Sequence, residues 1–270
     1  MTDVRTIAPY TVEDLEVCCA VSDDDVLGSC LLQSPAIASG EIPLREFRGA
    51  PSLATAMNDA LRSSNRRIVI VPHQDVYFPP GFTQQLLHQL NWLASRNLDP
   101  AVFGVIGVTA AGDVAGQTWS SGIGNLVGKA IAEPVEVVSL DEVLLIINRD
   151  VGARFSDDLP GFHLYGTDII QNARQIGAPS YVIPVDVVHH SRPLVKPARH
   201  YWRAYNFLRA KWRKQLPIPT LFGGIRRNRT HLARVDFRYR RAHWGSSTRP
   251  ARTRSTGSSG SPTRTSTRPR

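Results

Sequence analysis

The sequence predicts a single α/β domain in which helices flank a mostly parallel central sheet, followed by a disordered C-terminal tail. Short apolar runs alternate with segments of helical periodicity through the central part of the chain. A hydrophobic content of 42% in 270 residues is sufficient for one sizeable core. The excess of basic over acidic residues lies at the end of the chain, which sets the tail apart from the domain.

The charge distribution argues against a nucleic-acid-binding domain. Residues 226–270 contain 13 Arg and one acidic residue, whereas the rest of the chain contains 19 basic and 22 acidic residues. The net charge of +9 therefore describes the tail, while the domain is mildly acidic. The tail has no aromatic residues after Trp244 on which bases could stack. Residues 242–270 are rich in Ser, Thr, Arg, Gly and Pro, so we expect them to be disordered.

The first half of the domain shows two strands and two helices. Residues 16–21 form an apolar strand that leads into the acidic loop 22–28. Apolar residues at helical spacing predict a helix over residues 53–61, with Ser52 as its N-cap. The β-branched run 68–71 is typical of a strand covered on both faces, and an apolar stripe predicts a second helix over 82–93.

The second half continues the alternation of strands and helices. A strand is predicted over 102–108, followed by a glycine-rich loop or hairpin over 109–128. A helix is expected to begin near Asp168, capped by Thr167, and to end at Gly177. The remaining predicted elements are strands at 135–140, 143–147 and 181–188, and an amphipathic helix at 199–215.

The cysteines and the N-terminus indicate a cytoplasmic protein. Cys18, Cys19 and Cys30 lack the spacing of zinc ligands, and we expect buried thiols in a reducing compartment. No apolar run reaches the ~18 residues of a transmembrane segment. The first 16 residues are acidic in part and lack the apolar core of a signal peptide. A peripheral position at the inner face of the cell membrane is the alternative.

Polar residues follow three of the predicted strands. These residues are Ser22 to Asp25, His73 to Asp75, and His189 with His190. In open α/β sheets, ligands bind beyond the carboxyl ends of the strands. Asp75 after a buried strand can hold Mg²⁺ or Mn²⁺ against phosphate oxygens, or it can simply begin the turn at Pro79-Pro80-Gly81.

The histidine pair can supply an imidazole to the same ion. Because side chains alternate along a strand, His189 and His190 point to opposite faces and one of them is expected at the site. A carboxylate with an imidazole suits Mn²⁺ better than Mg²⁺. A structural histidine is the alternative for either residue.

Other polar residues carry two interpretations each. Asp168 is either a general base for an acceptor hydroxyl or an anion that stabilises the first turn of a helix. His163 and Tyr165 either contact the acceptor or form an aromatic plug under a loop. Asp141 either positions a sugar hydroxyl or begins a turn, and Asn58 either reads a nucleotide base or lies at the surface.

Five motifs in order resemble those of the family-2-like GT-A glycosyltransferases. The resemblance is to the bacterial branch in which the metal motif is His-Gln-Asp. The segment HQDVYFPPGF looks like the metal-binding motif, and SLATAMNDALRSSNRRIVIVP is similar to its helix–strand lead-in. The segments VSLDEVLLIINRDV, FSDDLPGFHLYGTDIIQNARQIG and VIPVDVVHHS resemble the later motifs of the family. The resemblance covers roughly residues 14–215.

The resemblance implies a GT-A (Rossmann-like) fold and transfer from a nucleoside-diphosphate-sugar donor, with Mn²⁺ or Mg²⁺ and inversion at the anomeric carbon, as in polysaccharide biosynthesis. It assigns Asp75 and one of His189 and His190 to the metal, and Asp168 to the catalytic base. The nucleotide would lie among Ser22, Asp23, Asp24, Asn58, His73 and Gln74. The sugar and acceptor would contact Asp141, His163 and Tyr165, with a glycan, a lipid-linked molecule or a small molecule as acceptor.

The same resemblance divides the chain into regions. Residues 1–215 would form the glycosyltransferase domain, with a nucleotide-binding half at 14–78 and an acceptor half at 79–190. Residues 216–241 would form a C-terminal extension that precedes the tail.

Three positions depart from the family pattern. Gln74 leaves one carboxylate where many relatives have two, Gly166 and Thr167 replace an acid, and Glu142 replaces a frequent Gly. A catalytically silent nucleotide-sugar-binding module, tethered by its basic tail, is therefore the alternative function. A sugar-1-phosphate nucleotidyltransferase is a third hypothesis, but the N-terminal part has no Gly-rich phosphate loop bearing Lys or Arg.

Overall fold

A computed structural model describes residues 7–191 and 199–228, which belong to one compact unit. The tail predicted at 242–270 lies outside the described residues, as does the second part of the 216–241 extension. The first part of the extension packs on the domain, because Ile218 and Ile225 are buried and pair with each other. Ser139 also donates its hydroxyl hydrogen to the Pro219 carbonyl at 2.7 Å.

Thirteen strands and six helices follow one another along the described residues. The strands are β1 (Leu15–Val21), β2 (Leu44–Arg48), β3 (Ile68–Pro72), β4 (Val76–Tyr77), β5 (Val102–Gly104), β6 (Ile106–Val108), β7 (Val114–Ser120), β8 (Asn125–Lys129), β9 (Val135–Glu136), β10 (Ser139–Leu140), β11 (Leu144–Asn148), β12 (Ser180–Val182) and β13 (Val188–His189). The helices are α1 (Asp24–Ser29), α2 (Pro35–Ala38), α3 (Leu53–Ser63), α4 (Phe82–Ala94), α5 (Tyr165–Gln175) and α6 (Arg199–Lys211).

The strands form two sheets. The larger has the order β2-β1-β3-β11-β5-β12-β9, and the smaller has the order β10-β6-β7-β13-β4 with β8 added beside β7. In the larger sheet β1 runs parallel to both β2 and β3, whereas β11 is antiparallel to both of its neighbours. The α/β class with a central sheet flanked by helices is confirmed, and the sheet is mixed because β11 enters between β3 and β5.

The core forms where apolar runs cross the centre of the larger sheet. Every residue of β3 and of β11 is buried, in agreement with their unbroken aliphatic sequences. Helix α3 buries the face that its 3.6-residue periodicity predicts, including Met57 and Leu61. The Ser52 hydroxyl accepts from the Thr55 amide at 3.2 Å, which confirms the predicted N-cap.

Three predicted strands are each divided in two. Residues 102–108 form β5 and β6, residues 135–140 form β9 and β10, and residues 181–188 contribute to β12 and β13. In each case the two pieces belong to different sheets. An apolar run gives no signal at such a change, because its residues are apolar on both sides of the break. The glycine-rich segment 109–128 forms the hairpin of β7 and β8, as one of its two predicted forms.

Three local expectations were wrong. The acidic segment 22–28 is mostly helix α1, because Asp23 accepts from the Val26 amide as an N-cap. Helix α5 begins at Tyr165 with Leu164 as its N-cap residue, so Thr167 lies inside the helix rather than at its start. Helix α6 ends at Lys211, short of the predicted residue 215.

The three cysteines are free and buried, as expected. Burial raises the pKa of Cys18 and of Cys19 to about 12, so neither is a reactive thiolate. Within residues 7–191 and 199–228, no helix combines the length and the apolar character needed to cross a bilayer.

Gly116 connects the two sheets and tests this architecture. It has a φ of +79°, and a Cβ atom there would overlap the carbonyl oxygen of Val105, between β5 and β6. Gly112 has a similar φ of +93° but faces open space. Gly116→Ala should therefore lower the free energy of unfolding by about 1–3 kcal/mol more than Gly112→Ala. Urea unfolding of both variants measures the difference. Equal midpoints would contradict the close contact between Gly116 and the Val105 carbonyl.

Candidate metal and donor site

A short pairing of β4 with β13 brings His189, at the end of β13, beside Asp75, which follows the end of β3. His189 is the register partner of Val76, and the His190 amide donates to the Asp75 carbonyl at 2.8 Å. This pairing places His189 Nε2 at 3.3 Å from Asp75 Oδ1. The side chain of His190 is exposed, so His189 is the member of the pair that faces Asp75.

His73 completes a cluster of three potential metal ligands. Its Nδ1 lies 3.9 Å from Asp75 Oδ1, and its ring meets the His189 ring edge-on with 5.6 Å between centroids. One ligand atom from each of the three residues lies within 4.8 Å of the others. All three side chains are half-buried, so the cluster is open to a ligand from solvent.

Tyr165 fixes the orientation and the tautomer of His73. The Tyr165 hydroxyl donates to the Glu142 carbonyl at 3.1 Å and lies 2.9 Å from His73 Nε2. Because the hydroxyl has a single hydrogen, it accepts from Nε2–H, and neutral His73 then keeps the lone pair of Nδ1 toward Asp75. A hydrogen bond of this type on the outer nitrogen is the usual support of a metal-binding histidine.

The electrostatics of His73 and Asp75 favour the protonation states that bind metal. Burial and the neighbouring His189 lower the pKa of His73. Burial alone would raise the pKa of Asp75, but the hydrogen bond from His189 and the two histidine charges lower it below its ordinary value. Neutral imidazole and ionised carboxylate are the forms that ligate a cation.

The donor set fits a divalent transition metal. Two imidazole nitrogens and one carboxylate oxygen suit Mn²⁺ better than Mg²⁺, which prefers oxygen ligands. Sequence reasoning placed His73 with the nucleotide and did not assign it to the metal. Its position one residue before Gln74 and two before Asp75 gave no signal, because the convergence depends on Tyr165, which comes from α5.

Gln74, which follows β3, is hydrogen-bonded to the segment that follows β1. Its side-chain oxygen accepts from the Ser22 amide at 2.8 Å and from the Asp23 amide at 3.2 Å. Its side-chain nitrogen donates to the Ser22 hydroxyl at 3.3 Å. Asp24 is exposed and forms an ion pair with Arg48 at 2.6 Å. The structure thus brings Ser22 and Asp23 to Gln74, while Asp24 faces away toward β2.

The two acids after β10 differ in their surroundings. Asp141 is half-buried, accepts from the Val143 amide at 3.0 Å, and acts to raise the pKa of His73. Glu142 accepts from the amides of Leu164 and Gly166, and burial together with Asp141 raises its pKa well above the ordinary value. Glu142 therefore supports the start of α5.

The close approach of α5 to β10 explains the glycine at position 166. A Cβ atom at Gly166 would lie 2.7 Å from the Leu140 carbonyl oxygen. An acidic side chain therefore cannot be accommodated at this position without moving the helix.

Asp168 is enclosed, in contrast to the expected catalytic base. Its carboxylate has no exposure to solvent, and it accepts from both the amide and the hydroxyl of Ser156 at 2.7 Å. It also accepts from Trp212 Nε1 at 3.3 Å and forms an ion pair with Lys211 at 3.3 Å. A base must reach the acceptor hydroxyl, so this environment fits a structural anchor for α6 instead.

Asn58 is likewise structural in its contacts. It is 2% exposed, donates to the Phe155 carbonyl at 3.0 Å and to Asp157 at 2.7 Å, and accepts from the Phe155 amide at 3.1 Å. These bonds clamp the segment after β11 to α3. The expected role in reading a nucleotide base does not fit a side chain that is both buried and fully engaged.

His163 contacts α6, and its charge also acts to lower the pKa of His73. Its ring meets the Tyr201 ring edge-on at 5.9 Å, and Tyr201 in turn packs against Trp202 and Tyr205. Burial and the neighbouring His200 lower the pKa of His163. Tyr165 supports His73 through its hydroxyl, and its predicted contact with the acceptor stays a prediction.

No model of a known protein family matches the chain. Among curated proteins, a segment of 84 residues is 32% identical to "ATP synthase subunits region ORF 6" of Fuscovulum blasticum. The match covers 31% of this chain and 33% of that protein, so it spans about a third of the relative's length.

Several solved structures resemble the fold at low identity. TarS of S. aureus in complex with UDP-GlcNAc has a TM-score of 0.49 and 11% identity, over 86% of this chain and 72% of that chain. The mannosyltransferase PcManGT of Pyrobaculum calidifontis with GDP-Man and Mn²⁺ has a TM-score of 0.45 and 16% identity, over 77% and 65%. GalNAc-T7 with UDP, GalNAc and Mn²⁺ has a TM-score of 0.45 and 10% identity, over 85% and 54%. With scores below 0.5, the likeness carries no weight for function.

Tyr165→Phe tests the support of His73. The variant removes the hydroxyl that accepts from Nε2–H, so the ring loses its fixed orientation and the affinity for Mn²⁺ should fall about 10–100-fold. Titration of free Mn²⁺ by electron paramagnetic resonance measures the affinity. Tyr181→Phe, on strand β12, is the matched control and should bind like the wild type. Unchanged affinity in Tyr165→Phe would show that the hydroxyl has no such role.

Asp168→Asn separates an anchor from a base. If Asp168 holds α6 in place, the variant should lose about 1–3 kcal/mol of unfolding free energy, because the donors of Ser156 and Trp212 lose a charged acceptor. Asp158→Asn, at an exposed position, should lose less than about 0.5 kcal/mol. Chemical denaturation compares the two variants, and a fully stable but inactive Asp168→Asn would restore the catalytic interpretation.

Proposed function

We propose that this protein is a Mn²⁺-dependent GT-A-type glycosyltransferase that takes its sugar from a nucleoside-diphosphate-sugar. The observation that carries the proposal is the cluster of His73, Asp75 and His189, which lies at the ends of β3 and β13. Ligand sites of open α/β sheets occur at such strand ends. The ordered motifs around His73-Gln74-Asp75 support the same assignment through their resemblance to family-2-like glycosyltransferases.

Each residue of the cluster has a defined task in this proposal. Asp75, His73 and His189 would hold the cation, which when bound offsets the charge that develops on a departing nucleoside diphosphate. Tyr165 keeps His73 in the tautomer that can ligate. Gln74 orders the backbone of Ser22 and Asp23 beside the cluster, so the donor meets a preformed edge rather than a mobile loop.

One observation favours the silent binding module as a second candidate. An inverting transfer needs a base beside the acceptor hydroxyl, and the carboxylate expected in that role is enclosed. Donor binding without transfer is therefore consistent with the same metal cluster. Release of nucleoside diphosphate from a bound donor distinguishes the two functions, because the silent module would retain its donor intact.

Paired histidine variants test the donor site. His189→Ala removes a ligand and should weaken Mn²⁺-dependent binding of a nucleotide-sugar by at least about 100-fold, as should Asp75→Asn. His190→Ala removes an exposed ring and keeps the amide that bonds to Asp75, so its binding should match the wild type. Calorimetric titration with UDP-, GDP- and dTDP-sugars, with and without Mn²⁺, provides the measurement. Equal losses of binding in His189→Ala and His190→Ala would show that the proposed cluster does not hold the metal.

A further inference from the structure

Four apolar side chains form one row across the smaller sheet. Val188 of β13 is the register partner of Tyr77 on β4 and of Trp119 on β7. Trp119 is in turn the partner of Leu126 on β8. Register partners project to the same face of a sheet, so these four residues, here named the cross-strand row, lie side by side. With three strand spacings, the row is about 14 Å long.

The cross-strand row lies on the outer face of this sheet. Trp119 is 42% exposed and Leu126 is 51% exposed, although both are large apolar residues. Their neighbours along the strand project inward: Thr118 and Ser120 are buried, and the hydroxyl of Thr118 donates to the Val187 carbonyl. A row of exposed apolar side chains on an ordered sheet costs solubility and indicates a binding surface.

The hairpin that carries part of the row is polar but uncharged. Gln117 precedes Trp119 on the same face of β7, and its register partner is Gly128. Residues 114–128 of the hairpin contain no Asp, Glu, Lys or Arg. Aromatic rings next to an amide, without charge, suit a ligand that offers both apolar faces and hydroxyl groups. A neutral sugar ring has this character.

The row ends at the edge strand β4 beside the metal cluster, although Val188 and His189 face opposite sides of the sheet. Tyr77 follows Asp75 by two residues, and Val188 directly precedes His189. A ligand lying along the row would therefore reach the edge of the sheet where the donor is expected to bind.

We propose that the cross-strand row is the acceptor surface and that its ligand is a neutral glycan chain. The chain would lie across β4, β13, β7 and β8, with sugar rings on Tyr77 and Trp119 and hydroxyl groups toward Gln117. The inference rests on the proposed glycosyltransferase function for its link to transfer, while the surface itself is defined by the row alone.

A membrane surface is the competing occupant, and Ile123 separates the two. Ile123 is 69% exposed at the turn of the hairpin and does not belong to the row. Insertion of the hairpin tip into a bilayer would use Ile123 together with Trp119. A glycan on the sheet face would use Trp119 and not Ile123.

The experiment is calorimetric titration of the full chain with cellohexaose, maltohexaose, laminarihexaose and xylohexaose, without metal or nucleotide. At least one hexasaccharide should bind the wild type. Trp119→Ala should weaken that binding about tenfold or more, Trp119→Phe should retain part of it, and Ile123→Ala should leave it unchanged. Sedimentation with phosphatidylcholine–phosphatidylglycerol vesicles, using the same variants, reports on the membrane alternative.

The outcomes separate this inference from the proposed function. No binding of any hexasaccharide, or equal binding by Trp119→Ala, overturns the inference, and so does vesicle binding that requires both Trp119 and Ile123 in place of glycan binding. Nucleotide-sugar binding is measured independently by the Mn²⁺ titration. If the protein binds donor but no glycan, only the proposal for the cross-strand row is rejected. If it binds glycan but no donor, the glycan-binding surface is supported and the proposed glycosyltransferase function is rejected.

Discussion

The antiparallel pairing of β4 with β13 is the constraint on which the candidate site depends. Each strand has only two residues, yet their register brings His189 to Asp75 from a distant part of the sequence. The amide of His190 bonds to the Asp75 carbonyl, so the backbone fixes the position before any side chain contributes. The same pairing aligns Val188 with Tyr77 on the other face, and one short ladder thus organises both the metal cluster and the cross-strand row.

A second set of contacts fixes the side chains within that frame. Helix α5 approaches β10 so closely that only glycine fits at position 166, and this contact brings Tyr165 to His73. The helix is held from behind by Asp168, whose buried carboxylate binds Lys211 and Trp212 near the end of α6. The support of His73 by Tyr165 is therefore linked through α5 to the docking of α6.

Sequence patterns predicted those parts of the fold that depend on local periodicity. The helix at α3 with its Ser52 cap and the buried strand β3 follow directly from residue spacing, and the strand ends located the cluster at Asp75 and His189. The patterns could not show where a buried run changes sheets. They also could not distinguish a catalytic base from a structural anchor at Asp168. An aspartate in either role can lie in the first turn of a helix, and only its tertiary partners differ.

The proposed donor site requires that His73, Asp75 and His189 together hold one Mn²⁺ ion. Pulsed electron paramagnetic resonance of the Mn²⁺-loaded protein tests it most directly, because nitrogen nuclei of ligating imidazoles couple to the unpaired electrons. We expect coupling to two imidazole nitrogens in the wild type and in His190→Ala, and to one in His73→Ala. A spectrum without nitrogen coupling, or one that loses a nitrogen in His190→Ala, would contradict it.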